Sequence, residues 1–519
     1  MGMVAPQQRI ASAFVVFHGG YGAVCHYAQQ RGVCRQWVYR EAAWVQEALT
    51  AKQQELQQLR AQVRQLQQRQ AELEQRLARA VVIDEDKQAA LATLGQARGV
   101  TLRDCQALLE MLIPGQVLSV ATLGRRTQAA AQRAGALLAV LDEVARERVC
   151  EAAADEIYVK DPVLMVVEPE SLCWIAGRLS TEASGEAWRR EFEVFPKLEQ
   201  VMCDAGAGLA KGAGLVNEKR RAQGQPEVIE QGDHYHALRG GGLGLRKAER
   251  QAREAFAEAE VAEKELAQST RNGQKRTGPA VRASFAWKKA EQAMDTWQTQ
   301  QRLWQATKDA LQLFTPSGEL NTRARAEGVL AETLAQLPDT FAKSKRLLLK
   351  SEVLNFLDRV QAKIAALPFP AELTQAAVRQ EGLRRRPEAL HGNDRQAGAL
   401  RGVLLVCAVV LSKAGEEGQR VATQIRDIIR RAYRASSLVE CINSVLRMQQ
   451  AGHRRMTQGL IDLKRLYWNS HRFGGGRRRN TTPYQRLGIT WPEDLNWWNL
   501  LKLTPEQLRA KLSTVLKPT

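Results

Sequence analysis

Four runs decide how this chain is read: Ala152-Ala-Ala-Asp155-Glu-Ile-Tyr-Val159, Val163-Leu-Met-Val-Val-Glu168, Leu172-Cys-Trp-Ile-Ala-Gly-Arg-Leu179 and Glu199-Gln-Val-Met-Cys-Asp204. Each is short and either apolar or alternating, and Asp161-Pro162 and Pro169-Glu170 separate the first three, as strands and hairpins require. A helical stretch around Glu186 to Phe195 precedes the fourth. Ala210 to Ala222 then continues as helix, and Val228 to His236 offers one more strand. Three strands, a helix and a strand make a mixed α/β core. Two acids in it stand out. Asp155 lies inside the first strand, where a carboxylate is costly unless it serves something. Asp204 ends the fourth and is followed by Ala205-Gly206-Ala207-Gly208, a backbone bare enough for close approach.

On either side of this core the chain reads as helix. Ala23 to Gln30, a turn at Gly32 and a second helix from Val33 onward form a helix-turn-helix, with Ala28 and Val38 inside. Arg35, Gln36, Tyr39 and Arg40 fall on the outward face, where phosphates and base edges are reached. The second helix runs on through Leu49, Leu56, Leu59, Val63, Leu66, Leu73 and Leu77, a heptad seam interrupted by Lys52 and Gln70. Such a seam pairs two chains or folds into an internal hairpin, and pairing between chains is the expectation. Thr101 and Ser119 are N-cap candidates in a second helix-turn-helix that carries Arg125 and Arg126.

Beyond Leu243 the strand signals stop. Helices are expected over Leu245 to Gln268, Ser284 to Leu313 and Thr340 to Leu367, with Gly240-Gly-Gly-Leu-Gly244 as the hinge into them. Trp297 and Trp304 share a face that suits core packing. Leu400 to Met448 is helical again. It contains Ser436-Ser-Leu-Val-Glu440-Cys-Ile-Asn443-Ser-Val-Leu-Arg447, which places Glu440, Asn443 and Arg447 on one helical face. Two basic stretches, Arg384 to Arg386 and Arg477 to Arg479, read either as solvated loops or as phosphate contacts.

Lys plus Arg number 75 against 56 Asp plus Glu, a net charge of +19 on a chain of ordinary globular composition. That excess favours a polyanionic partner, nucleic acid or an anionic membrane. The longest apolar run, Gly402 to Leu411, is about half a bilayer span and reads as a buried core segment, and Met1 to Val16 lacks the pattern of a signal peptide. Eight scattered cysteines with no C-x-x-C pair suit reduced thiols in a cytosol. Double-stranded DNA, with no membrane, is therefore the expected partner. Gly206-x-Gly208-x-x-Lys211 is neither a dinucleotide fingerprint nor a P-loop.

Asp-Glu-Ile in a first strand, Asp-x-Gly-x-Gly-Leu after a fourth, and Ser-Leu-Val-Glu-x-x-Asn-Ser-x-Leu-Arg on a late helix resemble bacterial insertion-sequence DDE transposases, which have an RNase H-like catalytic domain related to retroviral integrases. Arg454-Arg455-Met-Thr-Gln-Gly-Leu460 and Thr482-Pro483-Tyr484-Gln-Arg-Leu487-Gly488 are similar to the C-terminal strings of such enzymes. The resemblance implies Asp155, Asp204 and Glu440 as the metal-binding catalytic triad, with Arg447 as the basic residue seven positions later. Asn443 and Arg447 would hold the phosphate backbone near the metals. Ala205, where the family often has Gly, and Cys34, where Ser is usual, depart from its pattern. The spacing of 236 positions from Asp204 to Glu440 implies a helical insertion.

Physical chemistry agrees with that donor set. Cutting a phosphodiester calls for charge stabilisation on the entering and leaving oxygens, which two Mg²⁺ ions supply, with Mn²⁺ as a substitute. Mg²⁺ takes hard oxygen ligands and needs no His or Cys. Asp161 is a rival first ligand only if the strand register shifts, and Glu156 should point to the face opposite Asp155. Asp233-His234-Tyr-His236 resembles the Asp-x-x-His of some transposases, which leaves His236 a supporting or structural role, or a place in a two-histidine zinc site.

The expected fold is multidomain and predominantly α. Residues 1–48 form a helix-turn-helix, 49–82 a dimerising coiled coil and 83–145 a second helical DNA-binding domain. Residues 146–242 and 397–470 form an α/β RNase H-like catalytic domain interrupted by an α-helical insertion at 243–396, and 471–519 form a basic tail. The expected function is binding of terminal inverted repeats, hydrolysis to free 3′-OH ends and their joining to target DNA. The chain would act as a homodimer or higher oligomer at the nucleoid in bacterial cytoplasm. The alternatives are a catalytically silent DNA-binding protein on the same scaffold and an RNase H-like nuclease without strand transfer.

Overall fold

Pro6 opens the first helix, α1 (Pro6–His18), at a position where its missing N–H costs nothing. In this computed structural model the described residues are 5–79, 82–204, 206–386, 391, 395–452, 455–490 and 496–515; Ala205 and Arg454 lie outside them. Helix α2 (Ala23–Arg31) stops at Gly32, whose φ of 64° is left-handed and free of penalty only for glycine. Helix α3 (Arg35–Arg79) then runs unbroken for 45 residues, about 68 Å at 1.5 Å per residue. Sequence patterning held no sign of α1. Its large apolar residues Ile10, Phe14 and Phe17 face outward, and only Ser12 and Ala13 are buried. Arg9 ties it to α3 through Glu41 at 3.0 Å and lies 4.0 Å over the Trp44 ring.

Residues 1–84 form one body and 85–519 another. The second begins with α4 (Glu85–Ala97), α5 (Leu102–Leu112) and α6 (Val120–Arg146). Thr101 and Ser119 cap α5 and α6 by accepting from the Asp104 and Thr122 amides. The second half of α6 carries Leu137, Leu138 and Leu141 into the core beneath the sheet.

The sheet has the order β3-β2-β1-β4-β5. β1 (Glu151–Tyr158), β2 (Pro162–Glu168) and β3 (Cys173–Leu179) are antiparallel. After α7 (Gly185–Glu193), β4 (Gln200–Cys203) joins β1 in parallel. After α8 (Ala207–Ala222), β5 (Ile229–Gly232) joins β4 in parallel. Period-2 alternation sends Ala152, Ala154, Leu164 and Val166 toward Trp188 and Phe192, and Ala153, Ile157, Met165 and Val167 to the other face. Both faces are covered, so every β2 residue is buried.

β5 ends earlier than its sequence suggests, because Asp233 caps α9 (His234–Arg271) by accepting from the Tyr235 amide at 2.6 Å. The glycine run 240–244 is not a hinge but part of that helix. A β-carbon at Gly241 would stand 2.1 Å from the Trp304 ring, and one at Gly240 would stand 2.7 Å from Ser344 Oγ. The bare helix face thus admits α10 (Thr277–Ala310) and the segment beyond α11 (Arg323–Gln336). Trp304 is buried, as its spacing indicated; Trp297 is half-buried.

Thr340 to Leu367 is not one helix. α12 (Ala342–Leu348) and α13 (Asn355–Ala365) are separated by a 3-10 turn over Ser351–Leu354. The break lets the insertion bond to β5: Gln231 Nε2 donates to the Val353 carbonyl at 2.9 Å, and its Oε1 accepts from the Phe356 amide at 2.7 Å. The exposed strand edge is thereby covered.

α14 (Ala371–Arg384), α15 (Arg395–Lys413) and α16 (Gly415–Arg430) follow. Among the described residues, α15 alone is long and apolar enough to cross a membrane by length and composition. Its apolar run is not the buried segment its composition suggested. Cys407 and Leu411 pack inward with Val421 and Ile425, while Leu405, Val406 and Val409 are exposed. α17 (Ser437–Gly452) and α18 (Gln458–Ser470) return to the sheet, before the short α19 (Pro483–Arg486), α20 (Trp497–Leu501) and α21 (Pro505–Val515). Helix makes up 72% of the described residues, so the fold is predominantly α around a small mixed sheet.

Candidate active site

Asp155 sits on the central strand, and its position follows from pairing. Ala154 is level with Cys203 across the parallel β1–β4 pair, so Asp155 and Asp204 are the next residues along the two segments. Across the face that holds Ala153 and Ile157, α17 packs through Val439, Ile442 and Leu446. Those three sit at helical spacing and fix the rotation of α17, which brings the Glu440 and Asn443 positions toward β1. Asn443 Nδ2 donates to Asp155 Oδ2 at 2.7 Å, and Asp155 Oδ1 accepts from the Glu156 amide at 2.9 Å.

Electrostatics link the three acids. Burial, then the charges of Asp204 and Glu440, pushes Asp155 up to about 7. Arg447 Nη1 lies 3.2 Å from Glu440 Oε2, one charge neutralised seven residues along the helix. Asp204 Oδ1 accepts from the Gly206 amide at 2.8 Å.

Glu156 belongs to this corner, which strand alternation alone concealed. It points away from α17, yet burial and then the charges of Asp204 and Asp155 raise it to about 7 as well. Asp204 lies just beyond the end of β4, where both faces of β1 are within reach. A β-carbon at Gly206 would be 2.7 Å from Asp204 Oδ1 and 3.6 Å from Glu156 Oε1.

His236 is the second addition. Asp233 Oδ2 accepts from His236 Nδ1 at 2.6 Å and from the buried Ser436 Oγ at 2.7 Å, joining α9 to the approach to α17. The Asp233 hydrogen bond raises the His236 pKa, and Asp155 and Asp204 add to it. A cavity beside it is lined by Asp204, Asp233, His236, Lys350 and Glu352. His234 is different: it is buried, bonded to the Val353 carbonyl at 2.8 Å and lowered to about 4 by burial. The two histidines therefore serve separate partners and do not form a zinc pair. Asp161 occupies the turn after β1, beyond the Tyr158–Pro162 pair.

The expected DNA-contacting residues divide. Arg35, Gln36, Tyr39 and Arg40 are exposed on α3, while Val38 and Ala28 are buried beneath them. Arg125 is exposed and bonds Thr122 Oγ1 at 3.3 Å. Arg126 is instead committed to Glu85, donating to its backbone carbonyl at 3.1 Å and pairing with its carboxylate. Asn443 is fully buried on Asp155, so it positions that acid rather than reaching for a phosphate.

The donor set suits a hard divalent cation: several carboxylates, of which Asp155 and Glu156 are raised first by burial and then by their acidic neighbours, with buried Asn443 Oδ1 and Glu156 Oε2 bonded to nothing among the described residues. Among the described residues, no three His, Cys, Asp or Glu side chains close into a ready-made ion cage. No protein-family model, curated protein or solved structure matches the chain.

Proposed function

We propose that this chain is a DDE transposase. It binds the terminal repeats of its element, hydrolyses the DNA ends to free 3′-OH groups and joins them to target DNA. The observation that carries the reading is the coupling of Asp155, Asp204 and Glu440, from a central strand, its parallel neighbour and a late helix. A buried carboxylate raised by burial and by two neighbouring acids, as Asp155 is, is costly to build, and such groups are enriched at functional sites. The mixed sheet, followed by a long helical segment before the helix that carries Glu440, supports the RNase H-like assignment.

Mg²⁺ ions held by Asp155, Asp204 and Glu440, or Mn²⁺ in their place, would stabilise charge on the attacking and leaving oxygens of the phosphodiester. The chain's own groups prepare that site. Asn443 orients Asp155, Arg447 orients Glu440, and His236 is held beside the acids by Asp233, which Ser436 fixes in turn. Arg35, Gln36, Tyr39 and Arg40 are the proposed readers of the repeat, and Arg125 is a backbone contact. A second copy of the chain pairs along α3, and the enzyme works on the nucleoid in the cytoplasm.

The test is cleavage. Purified protein with Mg²⁺ and DNA containing both borders of its own gene should nick at defined ends and yield joined products with a target plasmid. Asp204→Ala should lower the cleavage rate by at least about 10³-fold, the scale lost when a central charge-stabilising group is removed. A variant that keeps cutting at the wild-type rate removes Asp204 from the triad.

A further inference from the structure

The turn between β2 and β3, Glu168-Pro169-Glu170-Ser171, carries two acids with different duties. Glu168 is consumed locally, accepting from the amides of Glu170 at 2.9 Å and Ser171 at 2.7 Å. Glu170, largely covered, points into a group of arginines from two distant segments. Arg486 Nη2 lies 2.8 Å and Arg430 Nη2 3.3 Å from Oε1, while Arg477 Nη2 is 3.9 Å from Oε2. Tyr433 donates its hydroxyl to Oε2 at 2.7 Å. Arg478 completes the set, donating to the carbonyls of Glu170 and Pro169 at 3.1 Å each.

Four guanidinium groups thus surround Glu170, Asp427 lies 3.8 Å from Arg430 as a second acid, and two negative charges against four positive leave the set electropositive. Gathering like charges around a half-buried turn costs free energy unless an anion collects it. Burial works against the Glu170 charge, yet Tyr433 and Arg430, Arg477 and Arg486 hold its pKa below the usual carboxylate range. Arg478 is pushed down by burial and then by Arg477 and Arg486, the mark of mutual repulsion. The cations remain reachable: the Arg430 side chain is 39% exposed and that of Arg477 is 49% exposed. Guanidinium forks match phosphate oxygens in geometry, and such an electropositive set next to a nucleic-acid active site suits the sugar-phosphate backbone.

We propose that Arg430, Arg477, Arg478 and Arg486 form a clamp for backbone phosphates of duplex DNA, with Glu170 holding the guanidinium groups in place and competing with the phosphate for them. The site rests on the reading above that DNA is the substrate. From Met165, which pairs with Asp155, to Glu168 is three residues along β2, roughly 10 Å at 3.3 Å per residue. The clamp therefore lies within one duplex turn of the acids, about 34 Å, and would grip the same molecule that is cut.

Salt-dependent binding tests this in the full-length protein. A fluorescent duplex of arbitrary sequence is titrated by anisotropy from low to high salt, without Mg²⁺ so that no cutting intervenes. Arg430→Ala with Arg477→Ala should reduce the slope of log affinity against log salt by about two, close to one for each phosphate no longer neutralised. Glu170→Gln should tighten binding by roughly 2–5-fold at low salt, since removing a competing charge strengthens the phosphate interaction. A merely structural glutamate would weaken binding when altered. If Glu170→Gln fails to fold, the arginine pair alone decides. A wild-type slope in the arginine pair, or weaker binding by folded Glu170→Gln, overturns the clamp. Wild-type protein that binds duplex and shows the clamp effects but never cuts overturns the transposase reading alone. Wild-type protein that does not bind duplex overturns both.

Discussion

Asp155 shows how a single residue reports a site. Its pKa of about 7 means that the folded chain holds a proton from about pH 4 to 7 that the unfolded chain has released. Stability contributed by this group is therefore largest at low pH and falls as pH climbs through 7, the reverse of a salt-bridged aspartate. Asp155→Asn keeps an acceptor for the Asn443 amide and never ionises. At pH 8 in chelator it should be more stable than wild type by roughly 1–3 kcal/mol, and the advantage should vanish near pH 4. Mg²⁺ at pH 8 should raise the melting temperature of wild type and barely move that of the variant. Equal unfolding curves for the two proteins at pH 8 would show that Asp155 is unstrained.

Among the elements, α9 is the one whose sequence most misleads. Five residues including four glycines, 240–244, look like a break because glycine weakens a helix by about 1 kcal/mol relative to alanine. Tertiary packing reverses the sign at some of these positions and not at others. Gly241 faces the Trp304 ring with no room for a methyl group, whereas a β-carbon at Gly242 meets nothing within 4 Å. Gly242→Ala should raise stability by about 0.5–1 kcal/mol through helix propensity alone. Gly241→Ala gains the same propensity but overpacks the contact with α10, for a net loss of roughly 1–3 kcal/mol. Chemical denaturation of the two single variants checks both, and matching shifts would refute the packing account.

On the scale of the whole molecule, α3 leaves an unfinished surface. Leu49, Leu56, Leu59, Val63, Leu66, Leu73 and Leu77 are between 50% and 68% exposed, although they follow a coiled-coil seam. Among the described residues no internal hairpin covers them, and the proposed pairing with a second copy along α3 would take the seam out of water. Lys52 and Gln70 are occupied on their own helix, with Glu55 at 2.5 Å and Glu74 at 2.9 Å, and such polar interruptions set register. Sedimentation should find wild type dimeric or larger, and Leu59→Glu with Leu66→Glu monomeric at the same concentration. Binding to a paired terminal repeat should then weaken at least tenfold, because the two reading helices no longer share one dimer. A monomeric wild type would remove the seam from assembly.

Much of this was legible in residue order. Alternation and Pro/Gly punctuation located β1 to β4 and the helices between them, since a strand needs period 2 and a break at each end. Thr101 and Ser119 announced α5 and α6 because a cap acts only on its own next turn. Asp155, Asp204 and Glu440 were singled out by local context. What residue order did not carry was everything settled across long separations. Glu156 joins the acids only because Asp204 lies past the strand end. Asn443 turns from a phosphate contact into a support because α17 packs flat on β1. The Glu170 arginines come from segments that no local pattern relates to the β2–β3 turn. Residue order dictates the elements, because capping, alternation and helical spacing act over a few residues. Which charges share a site was left to the fold, because that depends on packing between residues hundreds of positions apart.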